Sequence, residues 1–233
     1  MPALLDDLCA FCSGESLPAV AQAAIAHAQF ETIHPFVDGN GRTGRALIHL
    51  VLRRRGLATR VLPPVSPVLA TWADDYVLGL EATRYRGPAS SAAAREGVDM
   101  WIGRFAAACR RAVSDAASFE ERTRLLRDGW RARLGRVRAG SATAVLLQVL
   151  PGVPILTVSS AAGLTGRSFN AANDAIARLT EAGVLQQISV GRRNRAFEAP
   201  EVIEAFTALE RQLASPAGNT RVSRPARPVP RRT

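Results

Sequence analysis

The stretch HPFVDGNGRTGR, His34 to Arg45, decides how this chain is read. Its only apolar residues are Pro35, Phe36 and Val37, and strongly apolar, helix-like runs flank it: IAHAQFETI at 25–33 and ALIHLVL at 46–52. The segment therefore reads as a loop that enters a helix, a place where chemistry concentrates. Gly39 and Gly41 allow backbone conformations closed to other residues. Around Asn40 they let consecutive amide N–H groups point into one concavity, at the positive end of the following helix. Such a helix start binds phosphate. Arg42 and Arg45, three residues apart, share a face above it, and each guanidinium can fork onto phosphate oxygens. Asp38, just ahead, suits a Mg²⁺ ion bridging to polyphosphate. His34 ends the preceding helix, where it can accept a proton from an incoming hydroxyl.

Working outward, residues 3–12 read as a short helix. A second runs to about Ile33, with Ser16 as its cap and Pro18 in its first turn. Val20, Ala24, Ile25 and Ala28 form its apolar face. A third spans about Gly41 to Arg55 with Leu47, Leu50 and Val51 inward; Gly56 stops it. Further helices are expected at about 68–84 and 94–115, followed by an arginine-dense helical linker over 118–138. Cys9 and Cys12 have metal-like spacing but no second pair or nearby histidine, and read as small core residues. His27 and His49 read as packing residues, and His27 is close enough to the loop to support it. Trp72, Trp101 and Trp130 read as core.

The composition bounds the function. The chain has 233 residues, 47% hydrophobic, enough for one large or two small domains. No apolar run reaches the ~20 residues of a membrane span. Three cysteines without a framework point to a reducing cytoplasm. The net charge is +10, and all 30 basic residues are arginine. With no lysine, a Walker phosphate loop, a protein-kinase site and a Schiff-base mechanism are excluded. The abundance of Arg, Ala, Gly and Pro fits a GC-rich genome, which weakens high pI as a sign of nucleic-acid binding.

After Gly140 the pattern changes. A helix at 141–150, a short helix capped by Thr157, a helix from Ser168 to about Ala182, and strands at 184–190 and 195–199 around Gly191–Asn194 give a winged-helix layout. Ser168, Asn170, Asn173 and Arg178 are expected on the outward side of its second helix and Arg192, Arg193 and Arg195 on its wing, where DNA phosphates and base edges would be met. The Pro- and Arg-rich end has no acid after Glu210 and reads as disordered.

The segment His34–Arg45 resembles the signature of the Fic family, His-Pro-Phe-x-(Asp/Glu)-Gly-Asn-Gly-Arg-x-x-Arg, at every defined position. Both flanks are similar too, and Ser66, Tyr76 and Trp101 sit where related chains carry such residues. The resemblance spans about residues 3–115 and implies an all-helical core that transfers AMP from ATP to a protein hydroxyl. By that resemblance His34 is the general base, Asp38 holds Mg²⁺, and Gly39, Asn40 and Gly41 cradle the α- and β-phosphates. Arg42 assists there, Arg45 reaches the γ-phosphate, and Phe36 anchors the loop in the core. Related kinases replace the glycines of the nest, so Gly39 and Gly41 imply nucleotidyl transfer. The β-hairpin flap and inhibitory helix that precede the signature in similar proteins are not found in the 33 residues before His34, which implies an N-terminally shortened chain.

The expectation is a mainly α protein in four parts: a helical Fic core (1–115), a helical linker (116–139), a small winged-helix α+β domain (140–213) and a disordered basic tail (214–233). Its expected activity is AMPylation with ATP as substrate and Mg²⁺ as ion, including self-modification. The expected setting is the cytoplasm, with a protein target, no membrane, and homo-oligomerisation left open. The alternative is a DNA-binding regulator whose Fic core senses nucleotide or is inactive.

Overall fold

In a computed structural model, residues 2–59, 61–188 and 195–229 are described. They divide into two compact units, one running to Ala116 and including Leu213–Pro228, the other Ala117–Gln212. The elements of the first are α1 (Pro2–Ser13), α2 (Ala19–Ile33), α3 (Asn40–Arg54), α4 (Val65–Thr71), α5 (Ala73–Ala82) and the start of α6 (Ala92–Leu134).

The second helix is apolar nearly all round, and such a helix is buried. Ala23, Ala24, Ala26, His27, Ala28 and Phe30 are all buried. Its many alanines let neighbouring backbones come close, and α3 packs directly on it. The buried face of α3 is Gly44, Ile48, Val51 and Leu52. Leu50, expected inward, is 58% exposed. Burying Ile48 and Val51 contributes roughly 1.5–3 kcal/mol each.

Ser16 is not the cap of α2. Pro18 takes that position without a side-chain bond, and the turn is held instead by Gln22, whose Nε2 donates to the carbonyls of Phe11 and Gly14. Arg55 then donates to Leu17 O and Gln22 Oε1. The single helix expected at 68–84 is broken at Trp72 (φ −101°, ψ 44°). The helix expected at 94–115 continues through the arginine-dense stretch, as expected, to form α6, because no proline interrupts 92–134. Trp101, Phe105 and Ala108 of α6 are fully buried.

Residues 214–228, expected within a disordered tail, form a strap on this unit. Trp72 Nε1 donates to Pro216 O and Thr71 Oγ1 to Leu213 O. Arg111 donates to Ser215 O and Pro216 O and pairs with buried Asp115 at 2.9 Å. The strap needs little apolar area because its backbone carbonyls find side-chain donors, a signal that composition does not carry.

The second unit contains the end of α6, then α7 (Ala142–Val149), β1 (Ile155–Thr157), α8 (Val158–Thr165), α9 (Phe169–Glu181), β2 (Gln186–Gln187), β3 (Ala196–Glu198) and α10 (Pro200–Ala214) up to Gln212. Ser141 and Ser168 cap α7 and α9, and Thr157 with Ser160 forms a capping box on α8. The antiparallel sheet has the order β1-β3-β2, with Leu156 opposite Phe197 and Gln187 opposite Phe197 on the other side. Trp130 and Leu134 of the stretch expected as linker are buried in this unit's core with Leu146, Leu150, Ile176, Leu179 and Phe197. Strand β1 follows directly on Pro154, and α10 carries Val202 and Ala205 into the interior; the sequence reading had neither. No helix among the described residues is long and apolar enough to cross a membrane.

Candidate active site

The loop between α2 and α3 is built on two left-handed residues. His34 caps α2 with φ 48° and ψ 58°, its N–H bonded to Phe30 O at 2.9 Å. A non-glycine residue there costs on the order of 1–3 kcal/mol. The conformation turns the chain out of the helix at once, and the histidine side chain is left exposed. Gly39 caps α3 with φ 87°, which glycine adopts without strain.

Phe36 does not anchor the loop in the core. Its ring lies 6.2 Å from that of Phe30 but is 50% exposed. The anchor is Asn40, only 3% exposed. Its Oδ1 accepts the Phe36 N–H at 2.9 Å and its Nδ2 donates to the Phe36 carbonyl. An amide can satisfy a backbone donor and acceptor together, and no other side chain of that size can. The side chain of Asn40 is thus committed to the loop, and only its backbone faces the helix start.

Both arginines fold back over bare α-carbons. A methyl placed on Gly39 would lie 3.5 Å from Arg42 Nη2, and one on Gly41 would lie 3.1 Å from Arg45 Nη1. Helical side chains lean toward the N-terminus, so the two guanidiniums lie along the start of α3, where the first-turn amides lack helical acceptors. Asp38 accepts the Gly39 N–H at 2.7 Å and pairs with Arg42 at 3.1 Å. With side chains 75% and 91% exposed, that pair opens readily to a ligand.

Under this layer sits His27, fully buried, with Nδ1 3.1 Å from Gly44 O and Nε2 3.1 Å from Tyr76 Oη. A carbonyl only accepts, so Nδ1 carries the proton and the neutral ring accepts from Tyr76 through Nε2. Burial pushes the His27 pKa down to about 4, and the charge of Arg45 adds to that, while the Gly44 bond opposes it. Burial and the Glu31 carboxylate push Tyr76 up to about 12 against the pull of Arg45. Trp101 stacks on His27 at 6.2 Å. Arg45, His27, Ser66 and Tyr76 together line a cavity of about 320 Å³ closed by Leu69 and Val77.

Two residues escaped the sequence reading. Gly44 is bare because Glu31, His27 and Phe30 fill the space of its missing side chain. Glu31 Oε1 is buried there without a hydrogen-bond partner. The apolar flank pattern shows that α2 meets α3, but not which residue lets them touch.

The residues expected to read DNA are mostly engaged within the second unit. Ser168 Oγ accepts the Ala171 N–H as a helix cap. Arg195 donates to Asn173 at 2.8 Å and lies over the Phe197 ring. Arg178, expected outward, turns instead to the carbonyls of Leu134 and Arg136. Asn170 is exposed, and Arg192 and Arg193 lie outside the described residues. Of the cysteines, Cys12 is buried but Cys9 is exposed, against expectation. No group of three or more His, Cys, Asp or Glu among the described residues is placed to hold a metal.

The first unit thus brings the glycines and arginines of 39–45 together at the start of α3, with His34 exposed at the entrance of the same loop. The profile of the Fic/DOC family matches residues 1–52 of the chain. Protein adenylyltransferase fic-1 of Caenorhabditis elegans is 48% identical over 44 residues, covering 19% of this chain and 9% of that protein. Protein adenylyltransferase Fic of Drosophila virilis is 50% identical over 48 residues, 21% and 10% of the two chains. The chain thus spans about a tenth of the length of these curated relatives. Among solved structures, a Fic family protein from Desulfovibrio desulfuricans G20 aligns with 85% of this chain and 54% of its own, at 22% identity and a TM-score of 0.43.

Proposed function

We propose that the first unit transfers AMP from ATP to the hydroxyl of a protein side chain. The observation that carries this reading is the pair of guanidiniums folded over the bare α-carbons of Gly39 and Gly41, with His34 exposed at the start of the same loop. The nest takes the inner phosphates, Arg42 assists, and Arg45 takes the outer one. The target hydroxyl attacks the α-phosphorus, the bond to the β-phosphate bridging oxygen breaks, pyrophosphate leaves, and His34 receives the hydroxyl proton. His27 and Tyr76 hold the Gly44 carbonyl, which fixes the helix turn that carries Arg45.

Asp38 fits a Mg²⁺ site. One exposed carboxylate is the usual protein share for an ion that keeps its waters and takes phosphate oxygens as further ligands. When bound, the ion neutralises charge on the departing phosphates. An ion held there would compete with Arg42 for Asp38, leaving the Arg42 guanidinium to meet phosphate.

We read the second unit as a winged helix on its element order and on the sheet order β1-β3-β2. The test of the activity is label position. With the whole chain and a bacterial lysate as acceptor, α-labelled but not γ-labelled ATP becomes protein-bound, and His34→Ala lowers the rate ~10²–10⁴-fold with nucleotide affinity unchanged. Incorporation of γ-label, or full activity in the variant, refutes the reading.

A further inference from the structure

The second unit holds a cavity of about 560 Å³ walled by the turn before α7, the first turn of α7 and one face of α9. Arg138, Arg167 and Arg178 line it, opposed by one acid, Asp174. Two of the guanidiniums are tethered at one end. Arg167 Nη2 donates to Gly140 O at 2.7 Å, and Arg178 Nη2 donates to Leu134 O and Arg136 O at 2.9 and 2.8 Å. Their remaining N–H groups are thereby placed with little side-chain freedom left to lose on binding.

The floor of the cavity is the start of α7. The Ser141 hydroxyl satisfies the Ala144 N–H, which leaves the earlier amides of that turn without helical acceptors. Thr143 lines the cavity, packed in the first turn of α7 with 6% of the residue exposed, and its hydroxyl is not spent on a bond within the described residues. The hydroxyl is open to the basic cavity and can donate to a ligand acceptor there.

We propose that this cavity binds a small phosphorylated molecule that also carries hydroxyl groups, of the sugar-phosphate or nucleoside-monophosphate class. The phosphoryl group lies between Arg138, Arg167 and Arg178 and accepts from the Thr143 hydroxyl. Asp174 repels a phosphate and accepts from a ligand hydroxyl, which selects a phosphate ester over inorganic phosphate. The volume of this open cleft falls in the ~300–1,000 Å³ range of small-molecule sites. A nucleic-acid backbone would bring Asp174 phosphates rather than donors.

Calorimetric titration of the whole chain in an Arg45→Ala background, which weakens the site on α3, tests this. The probes are ribose 5-phosphate, AMP, ribose, inorganic phosphate and a random duplex DNA. Ribose 5-phosphate is expected to bind at least about tenfold tighter than ribose or inorganic phosphate, with AMP showing whether a base adds affinity. Arg138→Gln, which removes a guanidinium not engaged with the described residues, should weaken it about tenfold or more, and the near-isosteric Thr143→Val about fivefold. Asp174→Asn should narrow the gap between the ester and inorganic phosphate. Absence of saturable binding by the sugar phosphates overturns the proposal. So does binding that Arg138→Gln and Thr143→Val leave unchanged, or binding of duplex DNA alone that Arg138→Gln abolishes.

Discussion

Gly44→Ala sets two opposed effects against each other, and the structure decides between them. In a helix interior alanine is favoured over glycine by about 1 kcal/mol, so propensity alone makes the change stabilising. The new methyl would stand 2.5 Å from Glu31 Oε1 and 3.1 Å from both His27 Nδ1 and Phe30 Cδ1. The carboxylate ends a flexible side chain and can swing away. The two rings cannot, because His27 is bonded at both nitrogens and Phe30 is 5% exposed between its neighbours. Overpacking of this kind costs about 1–3 kcal/mol, which offsets the propensity gain and leaves a net loss of roughly 0–2 kcal/mol. Urea unfolding in a Trp130→Phe background reads it, since the remaining Trp72 and Trp101 both belong to the first unit. The midpoint should fall, and adding Glu31→Ala should recover less than half. The methyl also pushes α3 outward beside Arg45, so ATP affinity should fall with stability. A midpoint above that of the parent would refute the assignment of Gly44 as the contact that sets the approach of α2 and α3.

Three further outcomes are expected. Arg45→Ala should weaken ATP by roughly ten- to a hundredfold and ADP much less, the loss of one charge-assisted contact of ~1.5–3 kcal/mol; equal losses in calorimetry would remove Arg45 from the outer phosphate. His27 titrates near 4 in the folded chain and near its ordinary value of 6.5 when unfolded, so its share of stability is complete above pH 6.5 and is lost as pH falls toward 4. Between pH 7 and 5 this amounts to on the order of 2 kcal/mol, and the urea midpoint of His27→Gln should be flatter than the parent's over that interval. Arg111→Ala should cost about 3 kcal/mol by stripping buried Asp115 of its ion pair and loosening the 214–228 strap; proteolysis should then clip the strap first, and an unchanged cleavage pattern would show that the strap does not depend on it.

What the sequence displays, and what it hides, follows from the range of the interactions. Cap residues act on backbone groups two or three positions away, so Ser141, Thr157 and Ser168 announce their helices correctly. The glycines and arginines of 39–45 act within one turn of α3, so their placement at the helix start is legible as well. Asn40 carries a second role that its position does not announce: its buried side chain staples the loop at Phe36, four residues away. A glycine-flanked asparagine at a helix start fits both a phosphate ligand and a loop staple, and only the depth of its burial separates them. The inward face of α3 was misjudged for a different reason: Leu50 and Ile48 are equally apolar, and the choice between them is made by α2. Long-range partners left no local trace. The strap on Trp72 joins residues 144 apart in sequence, and Trp130 reaches Glu201 across 71. Such contacts depend on carbonyls and single donors rather than apolar periodicity. A stretch such as 118–134 therefore looks like a solvated linker by composition, yet Trp130, its one indole, commits it to a core.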